Sequence, residues 1–172
     1  GNEKADVQAL REQVSAYQVK DVYVGTLPET VVKETQMLVL SPGVPTDTDF
    51  VHKFRENGAV ILGEIELGYQ AAKGRLIGIT GTNGKTTTTT LVGQIMEEYF
   101  GNTFVVGNIG NPYTLEALKT TEESVTVAEI SSFQLETAID FKPNVSAILN
   151  VTPDHLNRHH TMENYAAAKE AI

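Results

Sequence analysis

Apolar and polar positions alternate along this chain in blocks of two different lengths. The shorter blocks are rich in Val, Ile and Leu and are typical of strands that are buried on both faces. They are DVYVG (21–25), MLVLSPG (37–43), AVIL (59–62), RLIGIT (75–80), TFVVGNIG (103–110), SVTVAEISS (124–132) and NVSAILNVT (144–152).

The longer blocks repeat their apolar residues every three or four positions, which predicts amphipathic helices. They cover residues 1–14, 46–58, 63–74, 86–101, 111–121 and 162–172, and the fourth should stop near Gly101. Because strands alternate with helices, the pattern predicts an α/β fold with a parallel sheet between two helical layers. Ligands of such sheets bind at the carboxyl ends of the strands. Polar residues gather at those ends, in 41–43, 81–87, 107–110, 129–132 and 150–155.

A domain boundary is predicted between Lys73 and Gly74, ahead of the strand RLIGIT. The first residues enter directly on a helix with no preceding strand, and the last residues stop inside a helix without a cap. Both features lead us to expect that these 172 residues are a fragment of a longer protein.

Composition excludes several classes of site and partner. The chain is 41% hydrophobic and 20% charged, as expected of a soluble globular domain. It has no cysteine, so any metal must be bound by oxygen or imidazole. A net charge of −9 argues against nucleic acid as a partner. No apolar run approaches the ~18 residues of a membrane span, and no signal-peptide pattern is present. We therefore expect a cytoplasmic protein without membrane contact. A monomer is our working expectation, although composition does not determine the oligomeric state.

The segment GITGTNGKTT carries the strongest chemical signal. The usual phosphate-loop spacing would place a glycine at the position of Ile79, so the common pattern is not met. The physical requirements are met nevertheless, because Gly81 and Gly84 flank a turn between a strand and a helix N-terminus. Lys85 would contact the β- and γ-phosphates, and the Thr86 hydroxyl would bind Mg²⁺. The alternative is an ordinary turn with an exposed lysine.

Other strand ends supply candidate metal ligands. Glu129 follows an apolar strand, where its carboxylate could reach Mg²⁺ beside the loop, although acids at strand ends are also common without a function. Asp154 and His155 follow another strand at the same predicted rim.

Two further groups of residues receive no role from this pattern. His159 and His160 are predicted to face solvent. Lys169 would by default be a solvated lysine on the last helix.

Five motifs in order give the chain a resemblance to a known family. GITGTNGKTT is similar to the variant phosphate loop of the Mur ligases and folylpolyglutamate synthetases, while GNIGNP, EISSFQLE, ILNVTPDHLNRH and YAAAK narrow the match. SSFQLE is the most discriminating, and it resembles the D-glutamate-adding members of the Mur ligases. The resemblance runs from about residue 21 to the end.

The resemblance implies roles for individual residues. ATP would lie against Gly81, Thr82, Asn83, Gly84, Lys85, Thr86 and Thr87. Thr86 and Glu129 would bind one Mg²⁺, and His155 a second. Lys169 matches a lysine that is carbamylated by CO₂ in the family, which turns a cation into a metal-bridging anion.

Substrate-contacting positions are also implied. Asn108, Ser131 and His155 would contact the muramoyl substrate, and Gly43 would lie near its uridine-diphosphate end. Asn157 departs from the family, which usually has aspartate there.

The implied activity is ATP-dependent addition of D-glutamate to UDP-N-acetylmuramoyl-L-alanine through an acyl phosphate, a step of peptidoglycan precursor synthesis. Residues 1–73 would be part of a Rossmann-like UDP-binding domain and 74–172 part of a phosphate-loop-type central domain, with a C-terminal domain absent. The segment alone should then have little or no ligase activity. The alternatives are another Mur ligase, a folylpolyglutamate synthetase-like ligase, or a module that binds ATP without catalysis.

Overall fold

A computed structural model describes residues 6–172 of the chain. Its helices are α1 (Val7–Val14), α2 (Glu29–Glu34), α3 (Asp49–Glu56), α4 (Glu64–Ala71), α5 (Lys85–Phe100), α6 (Tyr113–Ala117), α7 (Ser132–Leu135), α8 (Leu156–His159) and α9 (Met162–Glu170). Its strands are β1 (Met37–Leu40), β2 (Val60–Gly63), β3 (Arg75–Thr80), β4 (Thr103–Gly107), β5 (Val125–Glu129) and β6 (Val145–Ile148). In this part of the chain no helix is long and apolar enough to cross a membrane.

All strand pairs in the described residues are parallel, which confirms the predicted α/β fold. One sheet contains β1 and β2, and the other has the order β4-β5-β3-β6. β3 therefore lies inside the larger sheet, with Ile79 paired to Glu129 on one side and to Ala147 on the other. The loop that follows β3 is consequently bordered by the ends of both neighbouring strands.

The larger sheet has apolar residues on both faces, as a sheet between two helical layers requires. On one face Ile79 and Val127 pack with Val92 and Met96 of α5. On the other face a second cluster joins the sheet to α4 and α6, and its buried members are Ile65, Leu76, Val106, Tyr113, Ala117, Ala128, Ile130, Leu135 and Phe141.

The long helix α5 begins with a run of threonines and ends where the sequence predicts. Gly101 follows its last residue with φ +66, the left-handed conformation that favours glycine at a helix end. Thr89 is fully buried, and Gly93 lies so close to β4 that a Cβ there would be 2.5 Å from the Val105 side chain. Packing against the sheet therefore stabilises a helix whose first residues have low helix propensity.

Some predicted elements differ from the structure. DVYVG (21–25) is not a strand, because β1 pairs only with β2 and no strand of the described residues offers hydrogen-bond partners to this segment. The helix predicted at 111–121 is limited to Tyr113–Ala117. The short helices α2, α7 and α8 were not predicted, since four to six residues are too few to show a helical period.

Glu66 on α4 joins the residues before Gly74 to the segment between α7 and β6. Its carboxylate is fully buried, and Oε2 accepts hydrogen bonds from the backbone N–H groups of Ile139 (2.8 Å), Asp140 (3.2 Å) and Phe141 (3.0 Å). A buried carboxylate needs such donors to offset its lost hydration. The domain boundary at Lys73 and Gly74 stays a prediction.

Replacing Gly68 of α4 by alanine should destabilise the protein. Alanine is favoured over glycine in helices by about 1 kcal/mol. A Cβ at Gly68, however, would lie 2.7 Å from Cγ of the buried Tyr113 ring, and such overpacking costs about 1–3 kcal/mol. Urea unfolding should therefore give a lower free energy of unfolding for Gly68→Ala, while the control Gly43→Ala, with no atom within 4 Å of the new Cβ, should change little. A Gly68→Ala protein more stable than the wild type would contradict this packing.

Candidate nucleotide-binding site

The segment 81–87, here called the phosphate loop, has the backbone that close approach to an anion requires. Gly81 (φ +149) and Gly84 (φ +81) both lie in the region that favours glycine, and α5 starts directly after Gly84. Asn150 supports the loop from the end of the neighbouring strand, since its side chain both accepts from Asn83 N–H and donates to Asn83 C=O, each at 2.9 Å. The turn is thereby held in one conformation.

Lys85 lies across the loop rather than pointing into solvent. Its Nζ donates to the carbonyl oxygens of Gly81 (2.9 Å) and Thr82 (3.0 Å), and the side chain is half-buried. Thr86 and Thr87 are exposed on the first turn of α5. The ammonium group and the helix N-terminus therefore provide positive potential at the same place.

Lys169 reaches the same loop from α9, so the default expectation of a solvated lysine is wrong. Its side chain is 1% exposed, and Nζ donates to Gly81 C=O at 2.9 Å. Nζ also lies 4.7 Å from the centre of the Tyr165 ring. The pKa of Lys169 is lowered from 10.5 to about 8, mainly by burial and in addition by the charge of Lys85, while Asp154 acts in the opposite direction.

Glu129 is buried at the end of β5, and one of its carboxylate oxygens is free. Oε1 accepts a hydrogen bond from Asn108 Nδ2 at 2.7 Å, whereas Oε2 has no partner in the described part of the chain. The GNIG segment wraps this residue closely, because a Cβ at Gly107 (φ +101) would lie 2.3 Å from the Glu129 carbonyl oxygen. A buried oxygen without a donor is expensive unless a cation or donor binds to it.

The structure brings Asn108 to Glu129, but neither Ser131 nor Gly43 forms a hydrogen bond with the phosphate loop in the described residues. Ser131 caps α7, where its hydroxyl and the Gln134 side chain form a capping box. Gly43 is exposed, and its neighbour Val44 accepts a hydrogen bond from Arg158 at 3.4 Å.

The histidines differ in environment. His155 is exposed, and its ring centre lies 4.9 Å from that of Phe133 and 6.4 Å from that of Tyr165. His159 is buried, so its predicted solvent exposure is wrong; its Nε2 is 2.9 Å from Ser132 Oγ. Burial lowers the pKa of His159. His160 is exposed, as predicted.

Two residues to which the sequence analysis gave no individual role, Tyr165 and Asn150, complete the site. Tyr165 is buried, and its hydroxyl is 3.1 Å from Thr82 Oγ1, which connects α9 to the phosphate loop. Tyr165 precedes Lys169 by four residues and so shares its helix face, a signal the sequence contained. Asn150 follows β6, and only the pairing of β6 with β3 places it beside Asn83.

Within residues 6–172 no three Asp, Glu or His side chains form a group able to hold a metal ion. Mg²⁺ is commonly held by one or two carboxylates together with substrate phosphates and water. The free oxygen of Glu129 and the exposed hydroxyl of Thr86 fit that mode of binding.

Residues 79–172 match the model of the Mur ligase middle domain. The chain belongs to the Mur ligase family. It is 58% identical over its whole length to a UDP-N-acetylmuramoylalanine–D-glutamate ligase of Lachnospira eligens, and 53% identical over 99% of its length to the ligase of the same name from Lachnoclostridium phytofermentans. The chain spans 38% of the length of each of these relatives.

A Mur ligase of known structure, MurF from Acinetobacter baumannii, is also similar to this chain. The comparison covers 96% of this chain and 45% of that one, with 21% identity and a TM-score of 0.48.

The buried Lys169 should leave a signature in the pH dependence of stability. Its folded pKa of about 8 lies below the ordinary value of 10.5, so the unfolded state binds more protons between these values. Stability from this group therefore rises as pH increases from about 8. Between about pH 8 and 10.5 the melting temperature of the wild type should rise relative to that of Lys169→Met. The control Lys142→Met, which changes an exposed residue, should show the same pH dependence as the wild type. A constant difference between wild type and Lys169→Met would contradict the environment described for this lysine.

Proposed function

We propose that this chain is the ATP-binding part of a ligase that joins D-glutamate to UDP-N-acetylmuramoyl-L-alanine. The observation that carries the proposal is the meeting of Lys85 and Lys169 at the Gly81 carbonyl, beside a helix N-terminus. A protein that only binds ATP needs no second metal site, and a buried lysine beside the phosphate loop is suited to forming one once it is carbamylated. The names of the D-glutamate ligases that match along the whole chain support the substrate assignment.

Within this proposal the phosphate loop binds the triphosphate. Gly81, Thr82, Asn83 and Gly84 supply backbone N–H groups, and Lys85 moves from its carbonyl partners to the β- and γ-phosphates. Thr86 and Thr87 lie at the start of α5 to complete the contact. Positive groups around the γ-phosphate favour its transfer because charge accumulates on the phosphoryl oxygens.

Two Mg²⁺ ions would assist, one held by Thr86 and Glu129 and the other by His155 and a carbamylated Lys169. Their chemistry is neutralisation of phosphate charge during transfer. Asn108 would hold the Glu129 carboxylate in place through its 2.7 Å hydrogen bond. Asn108, Ser131, His155 and Gly43 would also contact the muramoyl substrate.

The proposed reaction proceeds in two steps. An oxygen of the substrate carboxylate attacks the γ-phosphorus of ATP, and the bond between that phosphorus and the β–γ bridging oxygen breaks. ADP is released, and the substrate now carries an acyl phosphate. The amine of D-glutamate then attacks the acyl carbon, loses a proton, and expels inorganic phosphate as the amide forms. Phosphorylation is needed because a free carboxylate is a poor acyl donor. A cytoplasmic setting and a monomeric state belong to the same proposal.

Lys169 should react with CO₂. A lysine whose pKa lies near 8 has a substantial fraction of neutral amine, the form that attacks CO₂ to give a carbamate. With ¹³C-labelled bicarbonate, NMR should detect a protein-bound carbamate carbonyl in the wild type that is missing in Lys169→Met; any carbamate of the α-amino group should be present in both. The exposed-residue variant Lys142→Met should retain the signal. Absence of the signal in the wild type, with and without Mg²⁺ and ATP, would refute the carbamate.

Ligase activity should depend on Lys85 and on D-glutamate. In the protein as its gene encodes it, phosphate release should require UDP-N-acetylmuramoyl-L-alanine and D-glutamate together. Lys85→Ala should lose ATP binding, since a charge-assisted phosphate contact disappears, whereas Lys142→Ala should behave as the wild type. Lys169→Ala should keep ATP binding and lose turnover, with recovery on adding a short carboxylic acid.

Substrate replacement distinguishes the rival activities. Preference for another amino acid or for a folyl substrate would point to a different ligase of the same fold, and ATP binding without any amide product would point to a binding module. Full activity of Lys169→Ala would contradict the carbamate role.

A further inference from the structure

The helix α8 is bounded by two residues in an unfavourable backbone conformation. His155 (φ 52, ψ 27) precedes it in the left-handed conformation, and His160 (φ 67, ψ −46) follows it with a positive φ; neither residue is glycine. A residue with a Cβ is strained at positive φ because its Cβ lies too close to a neighbouring carbonyl oxygen. A helix of four residues is too short to offset this strain by itself. Contacts from outside α8 must therefore hold this segment.

Four side chains connect α8 to α7, and we call them the α7–α8 clamp: Ser132, Glu136, Arg158 and His159. Arg158 donates from Nε to Glu136 Oε1 (3.2 Å) and from Nη2 to Glu136 Oε2 (2.5 Å). His159 places Nε2 at 2.9 Å from Ser132 Oγ and Nδ1 at 3.5 Å from Glu136 Oε1. Arg158 and Glu136 are each 16% exposed, so solvent screens this pair little.

Phe133 links the clamp to His155. The Arg158 guanidinium lies 5.3 Å from the Phe133 ring centre, and the His159 ring stacks on Phe133 at 5.5 Å with an angle of 21°. The His155 imidazole rests on the same ring at 4.9 Å. The Phe133 ring is therefore fixed by two clamp residues and in turn supports His155.

Other contacts of His155 do not explain its conformation. Its N–H donates to Asp154 Oδ1 at 2.8 Å, and its carbonyl accepts the first hydrogen bonds of α8. These backbone hydrogen bonds join His155 only to Asp154 and to residues of α8. The connections to other elements are made by side chains: Arg158 and His159 of α8 reach α7, and the His155 ring contacts Phe133 of α7 and lies 6.4 Å from the ring of Tyr165 on α9.

We infer that the α7–α8 clamp holds His155 in its left-handed conformation and thereby positions the imidazole. Glu136, Arg158 and His159 are positioning residues, because they act through His155. The consequence for catalysis rests on the proposed function, in which His155 contacts metal and substrate. The conformational statement does not depend on it.

NMR on this chain tests the conformational statement directly. A residue with φ near +52 brings its amide and Hα protons closer together than a helical or extended residue does, so His155 should show a strong intraresidue nuclear Overhauser effect. Glu136→Gln removes the charged acceptor of the clamp, and Arg158→Lys removes the two-pronged contact while keeping the charge. In both variants the intraresidue nuclear Overhauser effect of His155 should weaken, while the chemical shifts of residues in β3 and α5 stay unchanged. The control Glu123→Gln alters an exposed glutamate and should leave it intact.

Enzyme kinetics on the full-length protein test the catalytic consequence. Glu136→Gln and Arg158→Lys should lower kcat about 10-fold, as loss of partners behind a metal ligand does, with an unchanged KM for ATP. A purely structural defect would instead reduce ATP binding and kcat together.

Each result decides the inference. A strong His155 effect in both variants would overturn the inference. A weakened effect with unchanged kcat would confirm the conformational statement and overturn its catalytic consequence. If Glu136→Gln does not fold, Arg158→Lys alone decides. If the wild type shows no ligase activity, the proposed function fails while the NMR result still decides the conformational statement.

Discussion

Two lysine ammonium groups donate to one backbone carbonyl oxygen, that of Gly81. Neither Lys85 nor Lys169 forms a salt bridge in the described part of the chain, although the chain as a whole has a net charge of −9. Positive potential is thus concentrated at one place in an acidic protein. An anion bound at the phosphate loop would relieve the repulsion between the two ammonium groups, and the N-terminus of α5 adds to its attraction.

The parallel sheet is what brings these groups together. β3 lies between β5 and β6, so residues at the carboxyl ends of three strands border the same loop. Asn150, after β6, braces Asn83, while Glu129, at the end of β5, is in register with Ile79. The helix α9 then returns over this edge and delivers Tyr165 and Lys169 to the loop. The site therefore depends on strand order more than on any single motif.

Much of the fold follows from local rules that can be applied to the sequence. The β-branched runs at 75–80 and 124–132 predict strands, and the helix between Lys85 and Phe100 ends at Gly101 as expected. The secondary-structure prediction failed where strand pairing or the shortness of a helix determined the structure. DVYVG has the composition of a strand, but no described strand pairs with it, and α7 and α8 are too short for a helical period to appear.

The sequence by itself was enough to predict the order of the elements and the phosphate loop with Gly81, Gly84 and Lys85. Each of these features depends on residues that lie within a few positions of one another. The tertiary structure decided which polar side chains are buried and what they contact. Lys169 and His159 resemble ordinary surface residues in the sequence, yet both are buried. His159 contacts Ser132, 27 residues away along the chain, and Lys169 contacts Gly81, 88 residues away. Periodicity defines the faces of a helix, but only packing decides which element covers each face.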